Sequence, residues 1–258
     1  MKFIVVGIGG VGMAHVCAIK RMGFEVLALV DLDEGILEKA KSKWINIWET
    51  FKEEVPVQKN CIYQTSLSGL PITPNDIIII ATPPTTHFSL MKEALRTKAG
   101  KILVEKPIST EMLCMSNPRL FVSAEWIYHS KLKSIDKISS LRMCYPKIPN
   151  GWDIPLELDF CPHFFSILIS KGYDLKYISK AKAEFGFRYF CSHRAGSTKL
   201  SKVTFSGSRF GENGLFVNGR KLNWEEDLFD KQLISLQQGK MVSFDEMLYW
   251  ENELKAEL

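Results

Sequence analysis

The sequence predicts an α/β protein in which a doubly wound parallel sheet is followed by a second, α+β domain with a mostly antiparallel sheet. Short apolar runs such as Lys2–Val6, Val26–Val30 and Asp76–Ala81 alternate with helical segments, a pattern typical of parallel sheets covered by helices. Four glycines also follow the first run within residues 7–12. We place the domains at residues 1–122 and 123–258.

Composition excludes several classes of protein. Hydrophobic residues make up 46% of the 258 residues and charged residues 24%, as in globular proteins with a buried core. The net charge of +4 is too small for the basic surface of a nucleic-acid binder, so we expect no nucleic-acid partner. The apolar run Ile77–Ala81 is too short to cross a bilayer, so we expect no membrane partner and a cytoplasmic location. The six cysteines form no CxxC pair, so we expect no metal site.

The glycine-rich segment after the first strand fits the pattern G-x-G-x-x-G. It consists of Gly7, Ile8, Gly9, Gly10, Val11 and Gly12. In the Rossmann fold, the first glycine allows a tight turn, the second lets a pyrophosphate approach the backbone, and the third lets the helix pack on the strand. A helix predicted over Val11–Arg21 directs its unpaired N–H groups toward phosphate. The segment therefore predicts a dinucleotide site.

Asp31 ends the second predicted strand, near the roughly 20-residue offset at which an acidic side chain binds the adenosine ribose. A carboxylate there repels a 2′-phosphate, so we predict NAD in preference to NADP. Asp33 is close enough in sequence to share this role. The alternative is a plain βαβ unit in which Asp31 only caps a helix over Glu34–Lys43.

The strand Asp76–Ala81 runs into the segment ATPPTTH, and a helix is predicted over Phe88–Lys98. Because the carboxyl ends of parallel strands face the ligand, this segment supplies candidate cofactor contacts. These candidates are Ala81, Thr82, Pro83 and His87. His87 is either near the nicotinamide or on the surface at the start of the helix.

The strand Lys101–Val104 ends in Glu105, Lys106 and Pro107. The proline favours extended backbone at Lys106, which keeps this lysine at the strand tip. A lysine at the mouth of an apolar cleft can lose its charge easily, a property that acid–base chemistry uses. The alternative is a solvated surface lysine.

Together, G-x-G-x-x-G, Asp31, ATPPTTH and VEKP resemble the Gfo/Idh/MocA family of NAD(P)-dependent oxidoreductases. The resemblance is strong to about residue 110 and loose afterwards. It implies that Glu105 and Lys106 lie at the cofactor site and that Lys106 is catalytic. The segment LELDFCPHFFSIL resembles a second family segment, in which Asp159 and His163 fall on the positions that complete a catalytic trio.

The sequence also departs from the family. Cys161 and Ser166 stand where a glycine and an acidic residue are usual, and the second domain is short. The connection from Pro107 to a strand predicted at Leu120–Trp126 leaves little room for the usual crossover helix. These departures concern the substrate pocket more than the cofactor site.

Asp159 and His163 lie four residues apart, so they share a face if the segment is helical. A carboxylate beside an imidazole fixes its tautomer and supports its protonated form. The alternative is a structural ion pair. On the catalytic hypothesis, His163 takes the hydroxyl proton of a substrate alcohol, Asp159 orients the imidazole, and Lys106 stabilises charge on the same oxygen while NAD carries the redox chemistry.

The resemblance implies a small-molecule substrate, namely a sugar, a sugar derivative or a cyclic polyol. Alternatives are reduction of a linear tetrapyrrole or an imine, or an NAD-binding regulatory protein without chemistry. The resemblance also implies a homodimer or homotetramer formed through the second sheet. Alternation from Lys202 to Val217 is compatible with an apolar outer face on that sheet.

Overall fold

A computed structural model describes residues 1–42, 60–108, 116–144, 155–181, 186–194, 200–208, 210, 212–225, 227–242 and 244–257. The contacts divide the chain into two units. One comprises Met1–Ser123 and Phe229–Met241, and the other comprises Ala124–Leu228 and Val242–Leu258. The first unit is therefore built from two separate stretches of the chain.

The first unit contains a six-stranded sheet. Its strands are β1 (Lys2–Val6), β2 (Glu25–Val30), β3 (Ile62–Gln64), β4 (Ile77–Ile80), β5 (Lys101–Val104) and β6 (Leu120–Val122). The order is β3-β2-β1-β4-β5-β6, and all neighbouring pairs are parallel. This doubly wound order confirms the predicted N-terminal fold, and its direction reverses between β1 and β4, where such sheets bind dinucleotides.

The helices that follow the strands of this sheet are α1 (Gly10–Arg21), α2 (Glu34–Ser42) and α3 (Pro84–Arg96). Helix α3 begins four residues before the predicted start at Phe88. The reason is that a proline at the first helical position lacks only an N–H group that has no partner there. The predicted short connection after Pro107 falls on residues 109–115, which lie outside the described residues.

The second unit also contains a six-stranded sheet. Its strands are β7 (Ser140–Cys144), β8 (Asp174–Ala181), β9 (Phe187–Arg194), β10 (Leu200–Ser208), β11 (Gly214–Val217) and β12 (Arg220–Leu222). In the order β12-β11-β7-β10-β9-β8, β7 and β10 pair in parallel and the other neighbours pair antiparallel. The predicted mostly antiparallel sheet is confirmed.

The remaining helices are α4 (Ser130–Lys133), α5 (Leu156–Ser170), α6 (Leu228–Gln238) and α7 (Phe244–Glu257), with a 3₁₀ turn at Glu125–Tyr128. The strand predicted over Leu120–Trp126 ends at Val122, and Trp126 lies in this turn. Among the described residues, no helix combines the length and apolar character that crossing a membrane requires.

Helix α6 packs in the first unit. Phe229, Leu233 and Leu236 recur at intervals of three and four residues, so they share one helix face, and they belong to the same buried cluster as strand residues of β1 and β2. Lys101 donates hydrogen bonds of 2.6 Å to the carbonyl oxygens of Leu236 and Gln237 at the end of the helix. The sequence assigned this helix to the second domain, whereas its contacts lie in the first unit.

Helix α5 covers one face of the second sheet. The rings of Phe164 and Phe165 lie 5.7 and 5.8 Å from that of Phe205 in β10. Because successive side chains alternate across a strand, Thr204 and Ser206 lie on the opposite face, where they are partly exposed. The apolar outer face expected for this segment is therefore not found in β10, since its aromatic residue packs against α5. The oligomer predicted through this sheet stays a prediction.

Candidate functional site

The glycine turn between β1 and α1 is tightly packed on two sides and open on the third. A Cβ atom on Gly12 would lie 1.9 Å from the carbonyl oxygen of Gly7, and one on Gly7 would lie 2.6 Å from Cγ2 of Thr82. Gly7 also has a φ of +82°, a conformation that favours glycine. A Cβ on Gly9 would meet no atom within 4 Å. The backbone at Gly9 is therefore open to a close approach by a ligand.

Gly9 is also the N-cap of α1. No side chain forms a capping hydrogen bond there, and the first turn, which contains Gly10 and Val11, carries no acidic residue. The start of α1 thus presents backbone N–H groups and a partial positive charge, which favour an anion.

Asp31 follows β2 and holds the glycine turn. Its Oδ2 atom accepts a hydrogen bond of 2.9 Å from the N–H of Ile8, so this amide is already paired within the protein. The N–H groups of Gly35 and Ile36 donate to Oδ1 of Asp33, at 2.8 and 3.2 Å. Asp33, and not Asp31, therefore caps α2, which removes the capping alternative for Asp31.

The segment after β4 carries the other predicted cofactor contacts. Ala81 and Thr82 are half-buried and Pro83 is exposed. The N–H of Ala81 donates to the carbonyl oxygen of Val6 over 2.8 Å, which holds the end of β4 beside the glycine turn. These residues therefore lie at the carboxyl edge of the sheet, as the sequence predicts.

His87 is completely buried, which excludes the alternative of a surface position at the start of the helix. Its Nε2 atom lies 2.8 Å from the carbonyl oxygen of Thr82 and its Nδ1 atom 3.1 Å from that of Pro107. Burial lowers the pKa of His87, although these hydrogen bonds and the charge of Glu105 oppose the change. The imidazole therefore joins the segments that follow β4 and β5.

Glu105 follows β5 and is 5% exposed. Its Oε1 atom lies 2.7 Å from Nε2 of His15 in α1, and Nζ of Lys106 donates to Oε2 over 3.3 Å. Burial raises the pKa of Glu105, but the charge of Lys106 and the hydrogen bond from His15 lower it, and the resulting pKa lies well below the ordinary value. Glu105 is therefore an ionised carboxylate beneath Lys106.

Lys106 is not a solvated surface lysine, because its side chain is 13% exposed. Its Nζ atom forms an ion pair of 3.3 Å with the buried carboxylate of Glu105. His15 was missed by the sequence analysis. The one signal was a histidine in an otherwise apolar stretch of α1.

In the second unit, His163 lies in α5 and is 9% exposed. Its Nδ1 atom lies 3.6 Å from Oε1 of Glu125, which is 4% exposed in the 3₁₀ turn. Asp159 is half-buried in the first turn of the same helix. The structure thus adds Glu125, which the sequence analysis did not include, as a carboxylate neighbour of His163. In the described parts of the chain, no group of three His, Cys, Asp or Glu side chains could hold a metal ion.

Residues 1–116 match the model of the Gfo/Idh/MocA family, described as an oxidoreductase family with an NAD-binding Rossmann fold. The chain carries a Gfo/Idh/MocA oxidoreductase domain. For this domain the match confirms the predicted family, its oxidoreductase class and NAD as its cofactor. A search of curated proteins finds no match to the sequence.

Two solved structures show the same fold as this chain. The WlbA (WbpB) dehydrogenase from Thermus thermophilus, solved with NAD and UDP-GlcNAcA, is 16% identical, and the match covers 100% of this chain and 94% of that one with a TM-score of 0.68. A dehydrogenase from Chromobacterium violaceum is 14% identical, with 99% and 94% covered and a TM-score of 0.67. At these identities the likeness concerns the fold.

The residues of the Gfo/Idh/MocA domain fit an NAD molecule. The space beside Gly9 and the uncapped start of α1 suit a pyrophosphate. The carboxylate of Asp31 at the end of β2 suits a ribose diol. The N–H groups at the start of α1, the open space beside Gly9 and the carboxylate of Asp31 are therefore suited to binding NAD.

Proposed function

We propose that the protein is an NAD-dependent dehydrogenase that converts an alcohol group of a sugar, sugar derivative or cyclic polyol to a carbonyl group, or catalyses the reverse reaction. The observation that carries the proposal is the buried ion pair of Lys106 with Glu105 at the end of β5 in an NAD-binding unit. In this proposal, the ion pair fixes the ammonium group of Lys106, which interacts with the substrate oxygen that takes part in the reaction.

Lys106 acts as a hydrogen-bond donor in this proposal. Because Glu105 is ionised, it stabilises the ammonium form of Lys106. The ammonium group donates to the substrate oxygen and stabilises the negative charge that develops there as the hydroxyl proton leaves. Lys106 therefore does not need to accept the proton itself.

His163 acts as the general base. Its imidazole accepts the hydroxyl proton during oxidation and returns it during reduction. Glu125, 3.6 Å away, stabilises the imidazolium ion that forms. Asp159 orients the imidazole, as the family resemblance implies.

Residues of the first unit hold the cofactor. The amides of Gly9, Gly10 and Val11 would bind the pyrophosphate, and Asp31 would bind the ribose. Ala81, Thr82 and Pro83, at the carboxyl edge of the sheet, would contact the nicotinamide half. Bound NAD supplies the acceptor for the two electrons and the hydrogen that leave the alcohol carbon.

The substrate class rests on the family resemblance and on one structural relative. The dehydrogenase from Thermus thermophilus was solved with UDP-GlcNAcA, a nucleotide-linked sugar. This supports sugars and sugar derivatives as the first substrates to test.

The test measures NADH formation by the purified protein with NAD and a panel of sugars, UDP-linked sugars and cyclic polyols. We expect turnover of at least one member, and we expect Lys106→Met and His163→Asn to lower kcat by at least about 100-fold. Lys98→Met, which changes an exposed lysine of the same unit, should leave kcat within about threefold of the wild-type value.

Unchanged turnover in both the Lys106 and the His163 variants contradicts the assigned roles. Binding of NADH without turnover of any panel member contradicts the substrate class and favours the regulatory alternative. NADH binding is measured by fluorescence titration with the same preparations.

A further inference from the structure

His15 is a fully buried histidine in the first helix of the NAD-binding unit. Its Nε2 atom lies 2.7 Å from Oε1 of Glu105, and its ring contacts Phe229 edge-on with centroids 4.7 Å apart. Burial of a polar ring among apolar groups is unfavourable unless its polar atoms are paired. The contact with Glu105 therefore offsets the cost of burying the histidine ring.

The geometry identifies which nitrogen of His15 carries the hydrogen. Ionised Glu105 only accepts hydrogen bonds, so Nε2 must be the donor. Nδ1 is buried and has no hydrogen-bond partner among the described residues. A hydrogen on Nδ1 would be a buried donor without an acceptor, which is costly. His15 therefore holds the carboxylate of Glu105 through the hydrogen on Nε2.

A second donor also holds Glu105. Ser123, which is 1% exposed, forms a hydrogen bond with the carboxylate. This hydrogen bond also lowers the pKa of Glu105, by less than Lys106 or His15 does. Nε2 of Gln232 in α6 donates to Oγ of Ser123 over 3.1 Å. The carboxylate is thus fixed by groups from different elements of the unit, and it presents Oε2 to Lys106.

We propose that His15 is a positioning residue, which acts through Glu105 to fix the ammonium group of Lys106. This inference rests on the proposed function, because it assigns Lys106 its catalytic role. Helix α1 starts at the glycine turn and carries His15, so one rigid element both presents N–H groups to the cofactor and sets the position of Lys106.

The first test does not require a substrate. Trace acetylation with acetic anhydride at fixed pH modifies neutral, mobile amines, and mass spectrometry compares Lys106 with the exposed Lys240. His15→Ala and Glu105→Gln should raise the labelling of Lys106 by roughly tenfold, because the ion pair is weakened or lost. His15→Gln, whose amide can donate to Glu105, should stay close to wild type.

Asp76→Asn is the matched control. Asp76 is a carboxylate that is 4% exposed, and it precedes β4, at the opposite edge of the sheet from Glu105. It accepts hydrogen bonds from the N–H groups of Lys2 and Thr73, at 2.8 and 2.9 Å. Its substitution disturbs a buried carboxylate of the same unit but should leave the labelling of Lys106 unchanged.

The second test separates positioning from a merely structural role. With a substrate from the panel, His15→Ala should lower kcat by about 10- to 100-fold, as expected for a displaced catalytic group. The dissociation constant of NADH should change by less than about threefold. His15→Gln should restore kcat to within about threefold of wild type.

Unchanged labelling of Lys106 in folded His15→Ala and Glu105→Gln proteins overturns the inference. Raised labelling in His15→Ala together with a wild-type kcat also overturns it. Raised labelling in a protein that turns over no panel member supports the link between His15 and Lys106 and contradicts only the proposed function. If His15→Ala does not fold, His15→Leu, which fills the space without a hydrogen-bond donor, takes its place in both tests.

Discussion

Nδ1 of His163 lies 3.6 Å from Oε1 of Glu125, and both side chains are nearly completely buried. The two residues belong to α5 and to the 3₁₀ turn after β6, and these two elements pack against each other in the second unit. A carboxylate at this distance can form an ion pair with the imidazolium ion that proton uptake would create. The pair is therefore suited to a histidine that takes up a proton during a reaction.

Glu125→Gln tests this pair. We expect kcat to fall by about tenfold. This is less than the roughly 10²- to 10⁴-fold that a general base itself contributes, because Asp159 still orients the imidazole of His163. Glu225→Gln is the control, since Oε1 of Glu225 lies 3.5 Å from Nδ1 of His129 in the same unit. Steady-state kinetics should distinguish the two variants. Equal effects would show that the Glu125 substitution acts through general destabilisation.

Alanine substitutions at two glycines of the turn should affect different properties, namely stability at Gly12 and NADH binding at Gly9. Gly12→Ala places a Cβ 1.9 Å from a backbone oxygen, so the free energy of unfolding should fall by at least about 2 kcal/mol. Gly9→Ala places a Cβ in open space, so stability should change by less than about 1 kcal/mol. The dissociation constant of NADH for Gly9→Ala should nevertheless rise by at least about tenfold. Normal NADH binding by this variant would show that the pyrophosphate does not approach Gly9.

Asp31 and Asp33 form a second matched pair. Asp31→Ala removes the carboxylate that disfavours a 2′-phosphate, so the ratio of NADPH to NADH affinity should rise by at least about tenfold. Asp33→Ala removes the cap of α2, which costs about 1 kcal/mol of stability, and it should leave that ratio unchanged. Fluorescence titration with both nucleotides measures the ratio. A change of similar size in the Asp33 variant would count against the role of Asp31.

His87 should make stability depend on pH. Burial lowers the pKa of folded His87 below 6.5, so the unfolded chain binds the proton first as the pH falls. The free energy of unfolding should therefore decrease below about pH 6.5, by at most about 1.4 kcal/mol per pH unit for this group. In His87→Gln the curve should be flatter. Urea denaturation at several pH values gives both curves, and identical slopes would contradict this prediction.

Local patterns predicted the strands of the first unit well. The predicted strands Lys2–Val6 and Lys101–Val104 have the same bounds as β1 and β5. Each is a short apolar run followed by a glycine or proline segment, so neighbouring residues alone define it. The start of α3 was predicted four residues late because two prolines were assigned to the preceding loop.

Contacts between distant residues could not be predicted in the same way. His15 and Glu105 are 90 positions apart, and which face of α1 meets the end of β5 depends on packing. The same holds for Glu125 and His163, whose elements meet only in the folded unit. The resemblance indicated the correct region for both sites but did not include these partners.

The return of the chain through Phe229–Met241 has a consequence for synthesis. The apolar side of α6 belongs to the same buried cluster as β1 and β2. The ribosome nevertheless synthesises α6 only after residues Ala124–Leu228 of the second unit. Until then, part of the nascent nucleotide-binding sheet stays uncovered and open to chaperones. A fragment that stops before Phe229 should accordingly aggregate, even though it holds every strand of that sheet.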